Sequence, residues 1–203
     1  MTYHDASRWA EKFKDILEKP EFHLASFLRS EVTVVYWLMN TIGDILEVGA
    51  GSGRGCIAVK RMQPSRRVVA TDIDAEMCNI ITEYAKLTNT DIEVRQADVF
   101  ELPFKDNEFG AVFSSGLLEH FEDAEIVRAI KEQLRVAELA IITVPTDHYY
   151  YIRGGKEYGD ERLILKLRWL GLFTEAGFIR EIAFKGERGE ETSITVILSK
   201  DIE

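Results

Sequence analysis

The chain has 203 residues, of which 46% are hydrophobic and 30% are charged, a composition close to the average of globular proteins. This length predicts one domain with room for a small additional segment, and it excludes a second full domain. The formal net charge is −10, which disfavours a nucleic acid as partner because a phosphate backbone would be repelled.

The apolar runs of the sequence bear on its location. None approaches the roughly 18 uninterrupted apolar residues of a membrane span, and the first residues lack the basic and then apolar pattern of a secretory signal. We therefore expect a cytoplasmic protein with no membrane partner. Cys56 and Cys78 fall among apolar neighbours in predicted helices and are expected to be buried thiols. The sequence makes no prediction of the oligomeric state.

Two helical patterns open the chain. Residues 5–19 begin at Asp5, a suitable N-cap, and end before a proline. Residues 22–40 are rich in aromatic and aliphatic side chains and predict a second helix. We therefore expect residues 1–41 to form a helical N-terminal cap.

From residue 44 onward, short β-branched runs alternate with amphipathic stretches, as is typical of a mainly parallel sheet with crossover helices. The predicted strands are residues 44–48, 67–71, 92–96, 110–114, 138–144, 178–184 and 192–199, and the predicted helices between them are residues 53–63, 75–88, 122–137 and 160–176. The last two strands are joined by K-G-E-R-G-E-E, which is too short and polar for a crossover helix and predicts an antiparallel hairpin. The expected fold class for residues 42–203 is therefore α/β, with a doubly wound, mostly parallel seven-stranded sheet that ends in this hairpin.

A glycine-rich turn follows the first predicted strand. Residues 45–55 read I-L-E-V-G-A-G-S-G-R-G, in which a strand, a turn and a helix succeed one another. Such a turn lets a ligand approach the backbone, although a tight turn without a ligand would use the same residues. Glu47 lies two residues before the first glycine, where a carboxylate would repel a pyrophosphate and favour a positively charged ligand. The alternative is that Glu47 pairs with a nearby Lys or Arg.

An acid stands at the end of the second predicted strand. Asp72 follows Gly53 by 72 − 53 = 19 residues, the spacing at which a carboxylate can hold both hydroxyls of a ribose. Asp74 is better suited to be the N-cap of the helix over residues 75–88.

Four motifs together resemble one family. They are E-V-G-A-G-S-G at 47–53, T-D-I-D at 71–74, Q-A-D-V-F-E-L-P-F at 96–104 and F-S-S-G-L-L-E-H-F at 113–121. Their order and spacing resemble the class I S-adenosylmethionine-dependent methyltransferases, within them the small-molecule group called type 11, over roughly residues 42–199. The antiparallel hairpin inferred above agrees with the last strands of that family. The resemblance implies S-adenosylmethionine as cofactor and S-adenosylhomocysteine as product.

The resemblance also implies roles for individual residues. Gly49 and Gly51 would line the methionine portion of the cofactor, Asp72 would hold its ribose, and Asp98 would accept from the adenine amino group with the backbone of Val99 at the ring edge. The full set implied for the cofactor is Glu47, Gly49, Gly51, Gly53, Asp72, Ile73, Asp98, Val99 and Ser115. Asp98 could instead cap its loop. Phe100, Leu102 and Phe104 could wall the adenine or belong to the core.

The segment after the fourth predicted strand should border the reacting centre, because ligands of doubly wound sheets lie beyond the carboxyl ends of the strands. It contains Ser115, Gly116, Glu119 and His120. His120 is the candidate catalytic base, since an imidazole titrates near neutral pH, while the alternative is that the Glu-His pair only caps a helix or shapes the pocket. No N-P-P-Y or Pro-Cys motif and no Asp, Asp-Asn metal set follows this strand, so we expect metal-free transfer.

Two segments that depart from the sheet pattern, residues 1–40 and an insertion at residues 145–160, are predicted to select the acceptor, and the tyrosines of the insertion are the predicted substrate residues. The insertion carries Tyr149, Tyr150 and Tyr151 near two glycines, a composition that suits a mobile lid over the acceptor. Tyr158 belongs to the same aromatic group. Alternatively, these tyrosines pack under the N-terminal helices.

The sequence therefore favours a methyltransferase that acts on a small-molecule acceptor. A second hypothesis is a protein that binds S-adenosylmethionine without catalysis, as a sensor or a subunit of a complex. An NAD-dependent oxidoreductase is disfavoured by Glu47, by the terminal hairpin and by the lack of a Tyr-x-x-x-Lys pair. A polyamine aminopropyltransferase would need a different acidic set after the fourth strand.

Overall fold

The structure, a computed structural model, describes residues 13–156, 161–187 and 190–200. Its N-terminal part contains a short 3-10 helix, Lys14–Leu17, and the helices α1 (Pro20–Ser30) and α2 (Val32–Asn40). Of the helix predicted over residues 5–19, residues 5–12, with Asp5, lie outside the described residues.

The helix predicted over residues 22–40 is wrong in its continuity. Glu31 has φ −114° and ψ 40°, outside the helical region, and separates α1 from α2. Pro20 begins α1, where its missing N–H has no helical partner to lose. Both helices pack into the same core as the first strand, since Phe27 and Leu38 are buried beside Ile45.

The sheet has seven strands in the order β3-β2-β1-β4-β5-β7-β6. Their bounds are β1 Ile45–Val48, β2 Val68–Asp72, β3 Glu93–Gln96, β4 Phe109–Ser115, β5 Ala137–Pro145, β6 Phe178–Glu187 and β7 Glu190–Ser199. Strands β1 to β5 are parallel, and β7 pairs antiparallel with both β5 and β6. The predicted fold class and the terminal hairpin are therefore confirmed.

The remaining helices cover the two faces of this sheet. They are α3 Arg54–Met62, α4 Ala75–Leu87, α5 Asp123–Val136, α6 Asp147–Arg153 and α7 Lys166–Ala176, with a 3-10 helix at Leu118–His120. One core lies on the face of α5 and α7, around Trp169, and the other on the face of α1 to α4, around Tyr84. Because β1 to β4 are parallel, their carboxyl ends lie at the same edge of the sheet.

Two details depart from the sequence predictions. The helix predicted from residue 160 begins only at Lys166, and residues 161–165 are non-helical. The predicted insertion 145–160 contains a short helix, α6. Cys56 is fully buried, whereas Cys78 is only half-buried. Among the helices that the structure describes, none is long and apolar enough to cross a membrane.

Candidate functional site

A cleft of about 590 Å³ lies at the carboxyl ends of β1 to β4. This volume is within the roughly 300–1,000 Å³ of small-molecule sites, and the position is the one at which doubly wound sheets bind ligands. The cleft brings together most of the residues that the sequence singled out. Its described lining includes Glu47, Gly49, Gly51, Asp72, Ile73, Asp98, Val99, Ser115 and His120.

The glycine turn forms the floor of the cleft. Gly51 has a φ of +53°, a left-handed conformation that side chains other than glycine rarely adopt, and its N–H donates to Asp72 Oδ2 at 2.9 Å. A methyl group on Gly51 would meet the Phe13 ring at 3.5 Å. Gly49 also lines the cleft, whereas Gly53 is the N-cap residue of α3 and is not among the described lining residues.

Glu47 is buried at the end of β1, with 6% of its surface exposed. Its Oε2 accepts the backbone N–H of Cys56 at 2.7 Å, near the start of α3. Burial raises the pKa of Glu47 to about 7, and the hydrogen bonds to Cys56 and the charge of Arg54 only partly oppose this effect. Within the described residues Glu47 forms no ion pair with Lys or Arg, contrary to the alternative considered above.

Asp72 ends β2 and is half-buried at the cleft edge. Besides the bond from Gly51, its Oδ1 accepts the backbone N–H of Asp74 at 3.1 Å. Burial raises the pKa of Asp72, while these two backbone hydrogen bonds act in the opposite direction. Each carboxylate oxygen can accept a second hydrogen bond, so these contacts still leave capacity for a pair of hydroxyls.

Asp98 and Val99 form the end of the cleft beyond β3. Asp98 Oδ1 accepts the backbone N–H of Phe100 at 2.9 Å, so this side chain caps its own loop as well as lining the cleft. Phe100 lines the cleft too. Leu102 and Phe104 are buried in the core and are not among the described lining residues.

The segment after β4 forms another wall of the cleft. Ser115 and Gly116 line the cleft, and His120 lines it from the end of the 3-10 helix. Glu119 is buried and is not among the described lining residues. Of the predicted Glu-His pair, the structure therefore places the imidazole at the cleft.

The structure does not bring the tyrosines of the predicted lid to this cleft. Tyr149, Tyr150 and Tyr151 lie on α6, which packs against β7 at the far side of β5, and none is among the described lining residues. Tyr150 is buried and Tyr151 is 86% exposed. Tyr158 lies outside the described residues.

Residues of the N-terminal segment line the cleft instead. Phe13, Phe27 and Glu31 belong to it, and Arg54 adds a positive charge from the start of α3. The sequence analysis expected residues 1–40 to help select the acceptor, but it named no individual residue of this segment and did not name Arg54. The available signal was the aromatic content of the helical segment, which is equally typical of a core.

Asp74 has two roles. Its Oδ1 accepts the backbone N–H of Glu76 at 2.9 Å, which confirms the predicted N-cap of α4, and the residue also lines the cleft.

Comparison with known proteins finds similarity to methyltransferases. Residues 45–138 match a family described as a methyltransferase domain. A curated relative, the ribosomal protein L11 methyltransferase of Caldicellulosiruptor saccharolyticus, is 30% identical over 115 residues, which cover 45% of this chain and 37% of the relative. The chain spans little more than a third of the length of the curated relatives it matches first.

Solved structures share the fold of this chain over most of its length. A protein of Pyrococcus horikoshii has a TM-score of 0.74 at 19% identity, covering 87% of this chain and 91% of its own. The magnesium protoporphyrin IX methyltransferase of Synechocystis, solved with bound S-adenosylhomocysteine, has a TM-score of 0.69 at 17% identity, covering 87% and 84%. The chain thus shares the fold of these solved structures, and its residues 45–138 resemble a methyltransferase domain.

Proposed function

We propose that the chain binds S-adenosylmethionine and transfers its methyl group, without a metal ion, to a small-molecule acceptor. The observation that carries this proposal is the single cleft in which the glycine turn, Asp72 and Asp98 meet. A glycine-rich turn, with carboxylates at two neighbouring strand ends, suits a nucleoside that carries a positive charge.

The residues present fit this cofactor. Asp72 would hold the ribose hydroxyls, and Asp98 and Val99 would face the adenine. The backbone at Gly49 and Gly51 would lie against the methionine portion, where a side chain would fill the space. When bound, the cofactor supplies an electrophilic methyl group on a cationic sulfur.

The chain's own contribution to the reaction is alignment and exclusion of water. Methyl transfer is an in-line displacement, in which a well-oriented and dry site accounts for most of the acceleration. Phe13 and Phe27 supply apolar walls, and His120 is the group that we propose to take a proton from an acceptor that must lose one.

Support for a small acceptor comes from the cleft itself. Its volume is about 590 Å³, and the N-terminal segment contributes Phe13, Phe27 and Glu31 to its walls. Its lining acids and the net charge of −10 disfavour a polyanion. The relatives named above act on a ribosomal protein and on magnesium protoporphyrin IX, so the choice of a small acceptor rests on the cleft and not on them.

The direct test is calorimetric and thermal titration with S-adenosylhomocysteine, with NAD+ as the control ligand. At roughly 100 times its dissociation constant, a ligand specific for the folded state stabilises it by about 2.7 kcal/mol. We expect this stabilisation from S-adenosylhomocysteine only, and stabilisation by NAD+ alone would reject the proposal. Methyl transfer from labelled S-adenosylmethionine to a panel of small acceptors then separates an enzyme from a non-catalytic binding protein.

Asp72→Ala tests the ribose assignment. We expect binding of S-adenosylhomocysteine to weaken by about 1–3 kcal/mol, as for loss of a hydrogen-bonding charged group. The free energy of unfolding should also fall, by about 1–2 kcal/mol, because the N–H groups of Gly51 and Asp74 lose their acceptor. Asp91→Ala, at an exposed position away from the cleft, is the control, and wild-type affinity in Asp72→Ala would remove this residue from the site.

A further inference from the structure

Glu31 is the acidic residue that the N-terminal helices contribute to the cleft, and we infer that it recognises an ammonium group on the methyl acceptor, beside an apolar body packed on Phe13 and Phe27. The inference rests on the proposed function and names the chemical class of the acceptor. The acceptor would thus be an aryl or alkyl amine.

The backbone at Glu31 determines where its carboxylate lies. The residue sits at the break between α1 and α2, and its side chain is only 12% exposed. It does not cap α2, because no side-chain hydrogen bond to that helix is formed. A residue at a helix break whose side chain does no capping is available for another purpose.

Glu31 has one ion-pair partner among the described residues, and that partner is not within hydrogen-bond distance. In the described parts of the chain, its ion-pair partner is Lys185 Nζ at 3.7 Å, beyond hydrogen-bond distance, and that side chain is 52% exposed. No hydrogen bond to the Glu31 carboxylate is found among the described residues. A largely buried carboxylate is costly unless a cation or donors accompany it, so this position favours a cationic ligand.

The other acids of the cleft are already engaged with the backbone. Glu47, Asp72, Asp74 and Asp98 each accept at least one backbone N–H. Glu31 differs from these four in lacking such a donor within the described residues. Among the described lining residues, Arg54 is the lone Lys or Arg, so the summed field of the cleft attracts cations.

Two aromatic rings define the body that accompanies the ammonium group. Phe27 lies one helical turn before Glu31 and is 3% exposed, and the Phe13 ring lies over the glycine turn. Both line the cleft. Rings beside a carboxylate bind an apolar group by contact, and their faces attract a cation directly.

The test compares three compounds of similar shape: 2-phenylethylamine, 2-phenylethanol and 3-phenylpropionate. Each is titrated by calorimetry into the full chain saturated with S-adenosylhomocysteine. We expect the amine to bind at least tenfold more tightly than the alcohol, and the carboxylate to bind more weakly than either. In Glu31→Gln, the preference for amine over alcohol should fall below threefold, with the affinity for S-adenosylhomocysteine unchanged.

Two control variants isolate the role of the carboxylate. Glu83→Gln removes an exposed acid of α4 outside the cleft lining and should keep the amine preference. Lys185→Gln removes the ion pair and should also keep it. If Lys185→Gln abolishes the preference as Glu31→Gln does, the effect is structural and the inference is overturned.

The remaining outcomes of the titrations also test the inference. Equal binding of amine and alcohol, a preference for the carboxylate, or no binding of any of the three overturns the inference while leaving the proposed function intact. Loss of S-adenosylhomocysteine affinity in Glu31→Gln places the residue in the cofactor half and overturns it as well. Failure of the unmodified chain to bind S-adenosylhomocysteine rejects the proposed function, and the inference with it.

Discussion

The carboxyl group of Glu47 is buried and has little contact with water. Burial raises its pKa to about 7, from an ordinary value of 4.5. Below pH 4.5 the folded and unfolded states both carry the proton. Between pH 4.5 and 7 the unfolded chain releases it while the folded protein retains it, so this group's contribution to stability is lost as the pH rises through that range.

This difference in pKa predicts a pH-dependent stability. Between pH 4 and pH 8 the protein should lose about 3 kcal/mol of unfolding free energy relative to Glu47→Gln, at about 1.36 kcal/mol per pKa unit. Urea unfolding of both proteins across that range measures it, and the subtraction cancels the contribution of the other carboxyl groups. Parallel stability curves for the two proteins would show that Glu47 is already ionised at pH 5.

At the scale of single residues, much of the site could be predicted from the sequence. Asp72 is the last residue of β2 and Asp98 lies two residues after β3, and the parallel topology brings such residues to one edge of the sheet. The position of Glu31 in the cleft could not be predicted, because it depends on how α1 packs against α3. Tyr149 to Tyr151 were expected at the cleft because they follow β5, but helix formation after β5 carries them away.

The glycine turn acts as an element because its backbone conformation sets both the start of α3 and the floor of the cleft. Gly51→Ala should cost about 1–2 kcal/mol of stability, since alanine is strained at a φ of +53°. The added methyl group would also occupy ligand space, so affinity for S-adenosylhomocysteine should fall about tenfold, or 1.4 kcal/mol. Chemical unfolding and calorimetry measure the two effects.

Gly154 offers a matched control. It has a φ of +81° at the end of α6, and a methyl group there would meet nothing within 4 Å. Gly154→Ala should therefore lose comparable stability and keep full ligand affinity. Equal affinity losses in the two variants would attribute the effect of Gly51→Ala to general strain rather than to contact with the ligand.

The elements were predictable where periodicity is strong. Every predicted strand is present within a few residues of its expected bounds. This is because β-branched runs between polar turns seldom form any other secondary structure. The interruptions of the predicted helices could not be predicted from the sequence. The break at Glu31 has neither Gly nor Pro to mark it, and residues 161–165 keep an apolar pattern without forming a helix.

Across the whole molecule, the N-terminal helices and the sheet edge share one cleft. Binding of S-adenosylhomocysteine should therefore slow amide hydrogen exchange in both residues 49–53 and α1, because opening of either segment would disrupt the binding site. Helix α7, which packs in the core on the opposite face, serves as the internal reference, and its amides should slow only where they exchange through global unfolding. Protection confined to residues 49–53, with α1 unchanged, would mean that the N-terminal helices take no part in binding.

The position of β7 has a consequence for how the protein is made. Although it is synthesised after both β5 and β6, β7 lies between them in the sheet, and its Ile194, Val196 and Leu198 are fully buried. Until residues 190–199 leave the ribosome, β5 has an unpaired apolar edge and β6 has no neighbouring strand. Such an edge can pair with other nascent chains, so translation that stalls between β6 and β7 should yield aggregates rather than a shortened, folded protein.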